Sequence, residues 1–233
     1  MEAKELDRRF AELTTAHLAD ACLRARLPVR CVPLRPVLPG GRLAGRVCPA
    51  RHAGSVDVFL EAYREAAPGD VLVVDNGGRL DEACVGDLAV LEARAAGLAG
   101  VVIWGLHRDT AEVRAIGLPV FSLGALPTGP QRLDARPADA LESARAGEWT
   151  VSRADLVLAD EDGVLFVPAD RAGELFTLAE GIRDTERRQA ERIRSGVSLR
   201  EQLGFEDFLA RRRRDPALTF RDYLRAVGGA IEE

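Results

Sequence analysis

The chain has 233 residues, 47% hydrophobic and 30% charged, a composition that fits one globular domain with a sizeable core. Its formal net charge of -5 gives no reason to expect a nucleic-acid partner, which usually requires a basic face on the protein. No apolar run approaches the ~20 residues of a membrane span, and the charged residues 1–5 lack a signal-peptide core, which predicts a cytoplasmic protein.

Apolar runs and helical periodicities alternate along the chain. A helix is predicted over residues 4–23, with Thr14 or Thr15 able to cap a turn near His17. Short apolar runs bounded by glycine, proline or aspartate predict strands, which cover residues 45–50, 70–74, 100–104, 118–123, 155–160 and 163–168. Further helices are predicted over 56–66, 86–96, 110–116 and most of the chain after 169. The turn-rich stretch 127–149 is expected to be a surface excursion.

This irregular order of elements predicts a mixed α/β fold class. Residues 1–168 are expected to form the α/β domain, and residues 169–233 a helical C-terminal extension that packs on the same domain or on a neighbouring subunit. Leu88 and Leu91 recur at helical spacing after Gly86 and indicate a helix there. The basic run 211–214 is interpreted as a solvated helix end, because it lacks the interleaved aromatic residues of an RNA-binding surface.

Two neighbouring segments carry residues suited to binding a small anion. The strand at 100–104 leads into Arg108 and Asp109, and ligand sites in α/β proteins favour loops after strands. An arginine fork suits a carboxylate and an aspartate suits a hard cation, although the same pair is also typical of a surface salt bridge at a helix start. The helix near Gly86 presents unpaired amide groups that can hold an anion; the amides in question belong to Gly86, Asp87, Leu88 and Ala89.

The glycines around these residues form a pattern that resembles the RraA-like family, which includes class II 4-hydroxy-4-methyl-2-oxoglutarate aldolases and regulators of ribonuclease activity. The pattern covers roughly residues 13–204. Its motifs are Asp75-x-Gly77-Gly78, Ala83-x-x-Gly86-x-Leu88, Gly97-x-x-Gly100-Val101-Val102 and Gly105-x-x-Arg108-Asp109-x-x-Glu112. The resemblance implies a layered β/β/α swivelling-domain fold, assembly as a homotrimer or hexamer, and an acidic residue, here matched to Glu186, that reaches a neighbouring subunit's site.

The chemistry expected of this site is metal-dependent cleavage of a 2-oxo acid. Arg108 would bind the substrate's carboxylate or keto oxygen, Asp109 would hold Mg²⁺ or Mn²⁺, and Glu112, one helical turn later, would orient a water on that cation. A pyruvate enolate would be common to aldol cleavage and to oxaloacetate decarboxylation. The only lysine is Lys4, near the N-terminus, so a Schiff-base route has no residue to use.

Several residues near the motif keep two interpretations. Trp104 either finishes a buried strand or lines the pocket, and His107 either faces Arg108 or points away because neighbours on an extended chain alternate faces. Many relatives carry Asp-Gly-x-Val at this point, so a pocket position for either residue would change the substrate. Asp75 and Asp87 are either part of the clamp or turn and cap residues.

Three functions are therefore weighed. The first is a metal-dependent carbon–carbon lyase. The second is a non-catalytic regulator that binds a ribonuclease, against which the presence of Asp109 and Glu112 argues. The third is a methyltransferase, which ranks last because no strand is followed by a glycine-rich cofactor loop with an acidic ribose ligand.

Overall fold

A computed structural model describes residues 1–227 of the chain. Its strands are β1 Arg30–Val32, β2 Arg35–Pro36, β3 Leu43–Arg51, β4 Val71–Asp75, β5 Ala83–Val85, β6 Gly100–Trp104, β7 Leu106–His107, β8 Val120–Ser122, β9 Gly124–Ala125, β10 Ser143–Ala146, β11 Trp149–Ser152, β12 Asp155–Asp160 and β13 Gly163–Pro168. Its helices are α1 Ala3–Phe10, α2 Thr15–Arg24, α3 Asp57–Glu65, α4 Asp87–Ala95, α5 Thr110–Ile116, α6 Ala172–Arg194, α7 Leu199–Gln202, α8 Phe205–Arg214 and α9 Phe220–Val227. The predicted α/β class is confirmed.

The centre of the molecule is a curled, mixed sheet of eight strands in the order β1-β13-β12-β3-β4-β6-β8-β2. Strands β3, β4, β6 and β8 are parallel, whereas the strands that flank them pair antiparallel. The parallel strands read as near-continuous apolar runs because both of their faces are covered. The hairpin of β12 and β13, predicted from its Asp-Gly turn, is also confirmed.

The two faces of the sheet pack against different partners, as the two-residue repeat of a strand requires. In β4, Leu72 and Val74 contact the layer of α3 and α4, whereas Val71 and Val73 face the opposite side. That opposite side is closed by the hairpin of β10 and β11, while α1, α2 and α6 cover the β12–β13 end of the sheet. The carboxyl ends of the parallel strands therefore lie together at one edge of the sheet.

The interpretation of 127–149 as a surface excursion is wrong at its C-terminal end. Ser143–Ala146 and Trp149–Ser152 pair as a hairpin whose Ala144 and Val151 are buried against the sheet. Alanine has low strand propensity, so β10 carried little β signal, and the β-forming Trp149, Thr150 and Val151 begin only where the predicted excursion ends. The N-terminal helix is likewise two helices, since the chain breaks after Phe10 and Thr14 caps α2 by accepting a hydrogen bond from the His17 amide at 3.3 Å.

The C-terminal helices pack in two places. The first half of α6 buries Leu175, Phe176 and Ile182 against α2 and the sheet. The last helices bury a separate aromatic cluster, in which Phe208 of α8 contacts Tyr223 of α9 at 5.6 Å between ring centroids. The basic run 211–214 forms the exposed last turn of α8. The predicted domain boundary at residue 168 stays a prediction. The last residues of the predicted C-terminal extension, 228–233, lie outside the described part of the chain. No helix within residues 1–227 has the length and apolar character needed to cross a membrane.

Candidate functional site

The parallel strands of the sheet end together and create the site's floor. Arg51 of β3 pairs with Asp75 of β4, which pairs with Trp104 of β6. Beyond this edge the short strands β5, β7 and β9 form a second parallel sheet. Within it Val85 lies opposite His107, and the Arg108 amide donates to the Val85 carbonyl at 2.9 Å. The next residues on each strand, Gly86 and Arg108, are therefore brought side by side.

Arg108 and Asp109 lie against the first residue of α4. The Arg108 Nε lies 3.4 Å from Asp109 Oδ2, and the same oxygen accepts from the Asp87 amide at 3.4 Å. A Cβ added at Gly86 would overlap Asp109 Oδ2, and one added at Gly129 would lie 3.0 Å from Arg108 Nη1. The guanidinium thus occupies a slot between two glycines, which explains why these positions lack side chains.

Asp109 has an unusual backbone conformation. Its φ of 59° and ψ of 44° lie in the left-handed region, and within residues 1–227 only Arg26 shares a positive φ among non-glycine residues. Aspartate is one of the side chains that tolerate this region. The turn directs the carboxylate back to Gly86 rather than along α5, whose first turn it leaves without a side-chain cap. Such strained positions cluster at functional sites.

The arginine lines a cavity of about 280 Å³ at the N-terminus of α4. Its other walls include Asp87, Leu88, Ala89 and His52. The side chains of Arg108 and Asp109 are 47% and 37% exposed, so both are accessible to a solute. Of the four predicted amides, that of Asp87 already faces Asp109, and that of Leu88 donates to Asp87 Oδ1 at 2.8 Å. An incoming anion would therefore compete with carboxylates already present.

The donor set at Asp109 fits a weakly held, water-rich divalent cation. Within residues 1–227 no group of three or more His, Cys, Asp or Glu side chains is arranged to hold a metal. Mg²⁺ commonly keeps several waters and takes only one or two protein carboxylates, so a single partly exposed carboxylate meets its needs. Asp109 Oδ2 faces Arg108 and the Asp87 amide, so Oδ1 is the oxygen that would hold a cation.

The other predicted site residues lie further from the cavity. Glu112 is exposed on α5 and contributes no lining to the cavity. Glu186 lies on α6, where its Oε2 is 3.0 Å from His17 Nε2 of α2. In one chain these two carboxylates are thus not gathered with Arg108, and a role for Glu186 needs a second copy of the chain. Both roles stay predictions.

The structure resolves three of the four residues that had two interpretations. Trp104 packs over Gly78 and the Asn76 turn rather than in the cavity. His107 is buried, with Nδ1 2.8 Å from Ser122 Oγ and Nε2 3.0 Å from Thr110 Oγ1, so it points away from Arg108. Asp75 is a turn residue. Its two carboxylate oxygens accept from the amides of Gly77 at 2.8 Å and Arg145 at 3.1 Å.

A buried polar network beside the cavity was missed by sequence reasoning. His52 Nδ1 lies 2.9 Å from Asn76 Oδ1, which also accepts from Arg132 Nη2 at 3.0 Å. Arg132 in turn pairs with the buried Glu82 at 3.0 Å. Burial lowers the pKa of His52, an effect only partly offset by its hydrogen bond to Asn76. The available signal was position, since His52 and Asn76 each follow the last residue of a parallel strand.

Comparison with known proteins agrees with this architecture. A family model described as RraA-like, Aldolase/RraA, matches residues 15–166. The chain belongs to the RraA-like family. The predicted membership and the predicted fold are thereby confirmed.

Three relatives of this RraA-like chain show the range of the family. Protein DlpA of Legionella pneumophila is 27% identical over 194 residues, which is 80% of this chain but 31% of DlpA. A Thermus thermophilus protein named "Putative 4-hydroxy-4-methyl-2-oxoglutarate aldolase" is 33% identical over 132 residues, 57% of this chain and 79% of the relative. The crystal structure of Streptomyces coelicolor RraAS2, described as an unusual member of the RNase ES inhibitor RraA protein family, has a TM-score of 0.69 and 27% identity, and the match covers 78% of this chain and 94% of RraAS2. The chain spans about a third of the length of DlpA, and its relatives include proteins named putative aldolases and one described as a member of a ribonuclease-inhibitor family.

Proposed function

We propose that this chain is a divalent-metal-dependent lyase that cleaves a carbon–carbon bond of a 2-oxo acid through a pyruvate enolate. The observation that carries the proposal is an open cavity lined by Arg108 and the first turn of α4, with the Asp109 carboxylate 3.4 Å from Arg108 Nε. The aldolase names among its relatives support the same reaction class. The proposed substrate resembles 4-hydroxy-4-methyl-2-oxoglutarate, with oxaloacetate as a second substrate.

Arg108 supplies the binding and the charge that the reaction needs. Its planar fork suits the carboxylate and the adjacent keto oxygen of a 2-oxo acid, which lie in one plane. When the bond between C3 and C4 breaks, its electron pair moves toward the C2 oxygen and forms an enolate. The Arg108 guanidinium, held next to that oxygen, stabilises the negative charge of the enolate more than it stabilises the neutral ketone. This difference accelerates the reaction.

Asp109 is the residue proposed to hold the cation. A divalent ion bound there supplies Lewis-acid stabilisation of the substrate's oxygens. The chain's own part is to fix the carboxylate, which it does through the left-handed backbone at Asp109 and the absence of a side chain at Gly86. The two lyase reactions share one site because both pass through the same three-carbon enolate.

A multisubunit form completes the proposal. Leu88 and Leu91 on α4 are 75% and 50% exposed. Leu60 on the neighbouring α3, and Val56 just before α3, are exposed as well. Leu88 and Val56 also line the cavity, so a second copy covering these side chains would close it. We propose a homotrimer or hexamer in which Glu186 of one copy approaches the cavity of another.

The lyase is tested by measuring pyruvate release from 4-hydroxy-4-methyl-2-oxoglutarate and from oxaloacetate, with added Mg²⁺ and after EDTA treatment. Release from both substrates that stops with EDTA and returns with Mg²⁺ is expected. Activity that survives EDTA would contradict the metal dependence, and no release from either substrate would contradict the lyase function. The alternative, a regulator that binds a ribonuclease, draws its support from the description of RraAS2; co-sedimentation with a ribonuclease by a chain that releases no pyruvate would favour it.

A further inference from the structure

His52 is a buried histidine in the wall of the cavity, and its side chain is 2% exposed. It follows β3 at the carboxyl edge of the sheet and lines the same cavity as Arg108. Its ring stacks on Phe59 of α3, with centroids 5.3 Å apart and planes 18° from parallel. A buried ring held this firmly has one orientation relative to the cavity.

The hydrogen-bond network also fixes which ring nitrogen carries the proton. Arg132 has only donors, so the Asn76 atom 3.0 Å from its Nη2 is the amide oxygen. The same oxygen lies 2.9 Å from His52 Nδ1, which must therefore donate its hydrogen. In the neutral ring, Nε2 then has the free lone pair. This arrangement resembles the way in which other enzymes fix the tautomer of a catalytic histidine.

The groups around His52 act on the protonation of its ring in opposite directions. Burial favours the neutral ring, and Arg132 disfavours the protonated one. Two carboxylates favour the protonated ring: Glu82, whose Oε1 lies 4.0 Å from His52 Nδ1, and Asp57. Among the cavity's other polar groups, burial raises the pKa of the Cys84 thiol and keeps it protonated, whereas the Arg108 guanidinium has only donors and accepts no proton. Asp87 is the one competing base in the cavity lining.

We infer that His52 is the proton acceptor and donor for aldol cleavage in this cavity, an inference that rests on the proposed lyase function. Nε2 takes the proton of the C4 hydroxyl as the C3–C4 bond breaks. The electron pair of that bond forms the enolate, and the C4 fragment leaves as a carbonyl compound. The same proton then returns from Nε2 to C3 and gives pyruvate, so the step needs no other reactant.

Oxaloacetate separates this role from binding, because its C4 carboxylate leaves as CO₂ and no hydroxyl proton has to be removed. His52→Asn keeps a donor for Asn76 but has no atom in place of Nε2. A positioned acid–base group contributes about 10²- to 10⁴-fold. The variant should therefore lose about 100-fold or more in kcat for 4-hydroxy-4-methyl-2-oxoglutarate, while the rate of oxaloacetate consumption stays near that of the unmodified chain.

Equal losses with both substrates, or no loss with either, would overturn the role of His52 and leave the lyase standing. An unmodified chain inactive on both substrates would overturn the lyase and this role together. Asn76→Asp gives a second readout, since a negative charge beside Nδ1 should raise the pH at which the acid limb of aldol cleavage appears. An unmoved limb in Asn76→Asp, or a limb that vanishes in Asp87→Asn instead of His52→Asn, would also contradict the role.

Discussion

Arg108 is the residue whose chemistry the proposal uses most. Lysine at this position keeps the positive charge but loses the planar fork. If Arg108 only balanced Asp109, Arg108→Lys would keep much of the activity. If it clamps the substrate, the loss of a charge-assisted contact costs about 1.5–3 kcal/mol, which is roughly ten- to more than a hundredfold in kcat/KM. Steady-state kinetics with oxaloacetate at saturating Mg²⁺ provides the measurement, and near-normal kcat and KM would take Arg108 out of the site.

The proposed metal-ligand role of Asp109 can be tested without measuring turnover. Asp109→Asn removes the negative charge but keeps the shape and the tolerance of asparagine for a left-handed backbone. We expect a folded protein whose Mn²⁺ affinity, measured by titration calorimetry, falls below that of the unmodified chain. Glu148→Gln is the matched control, because Glu148 is exposed in the turn between β10 and β11 and does not line the cavity. Unchanged Mn²⁺ affinity in Asp109→Asn would remove the ligand role.

At the scale of the element, the approach of β5 and α4 to the Arg108 loop depends on Gly86. Its φ of -123° suits any residue, so alanine there adds no backbone strain. The added Cβ would, however, overlap the Asp109 carboxylate, which has to move. Gly86→Ala should therefore fold normally and lose pyruvate release.

The control for that variant is Gly181→Ala on α6, where a Cβ meets no atom within 4 Å. Replacing a helical glycine by alanine stabilises by roughly 0.5–1 kcal/mol, so this variant should unfold at a slightly higher urea concentration with its activity unchanged. Gly86→Ala with full activity would show that the contact between α4 and Asp109 is not needed.

Sequence reasoning predicted the parallel strands of the sheet and the helices between them, and it named Arg108, Asp109 and Gly86, which the structure brings into contact. Arg108, Asp109 and Gly86 were identifiable because each lies at the end of a strand or the start of a helix that has a clear local pattern. The network of His52, Asn76, Glu82 and Arg132 was not, since its members are up to 80 residues apart and only the folded sheet edge joins them. The spacing of apolar residues predicts a helix but does not say which of its faces is buried. Leu88 and Leu91 indicated α4, yet both are exposed.

At the scale of the whole molecule, two buried histidines link stability to pH. Burial lowers the pKa of both His52 and His107 below the ordinary value, which is about 6.5 in unfolded chains. The unfolded state then binds protons more readily than the folded state. The free energy of unfolding therefore has its full value above about pH 6.5 and decreases as the pH falls below it. Urea unfolding at fixed protein concentration should give a lower free energy at pH 5.5 than at pH 7.5.

His52→Asn combined with His107→Asn should flatten this dependence, because no buried imidazole remains to be protonated. The window lies above the usual carboxyl range, about pH 4, so acidic side chains contribute little to it. A double variant with an undiminished slope would assign the effect to other groups.

Assembly is the second property of the whole molecule. We expect sedimentation to show a trimer or a multiple of it, and Leu91→Glu to shift the protein toward monomer by placing a charge in the covered apolar surface. Leu23→Glu is the control, because Leu23 is equally exposed but lies on α2, away from α3 and α4. A stable monomer with full activity would rule out a site shared between copies.

The central claim is that this cavity forms a pyruvate enolate, and proton exchange tests it without knowledge of the natural substrate. An enzyme that protonates the enolate at C3 also removes that proton from pyruvate, so the methyl protons should exchange with D₂O. Followed by NMR, the unmodified chain with Mg²⁺ should exchange these protons faster than Mg²⁺ alone, whereas EDTA or Arg108→Lys should reduce the rate to background. Exchange at the background rate in the unmodified, Mg²⁺-loaded protein would contradict the account.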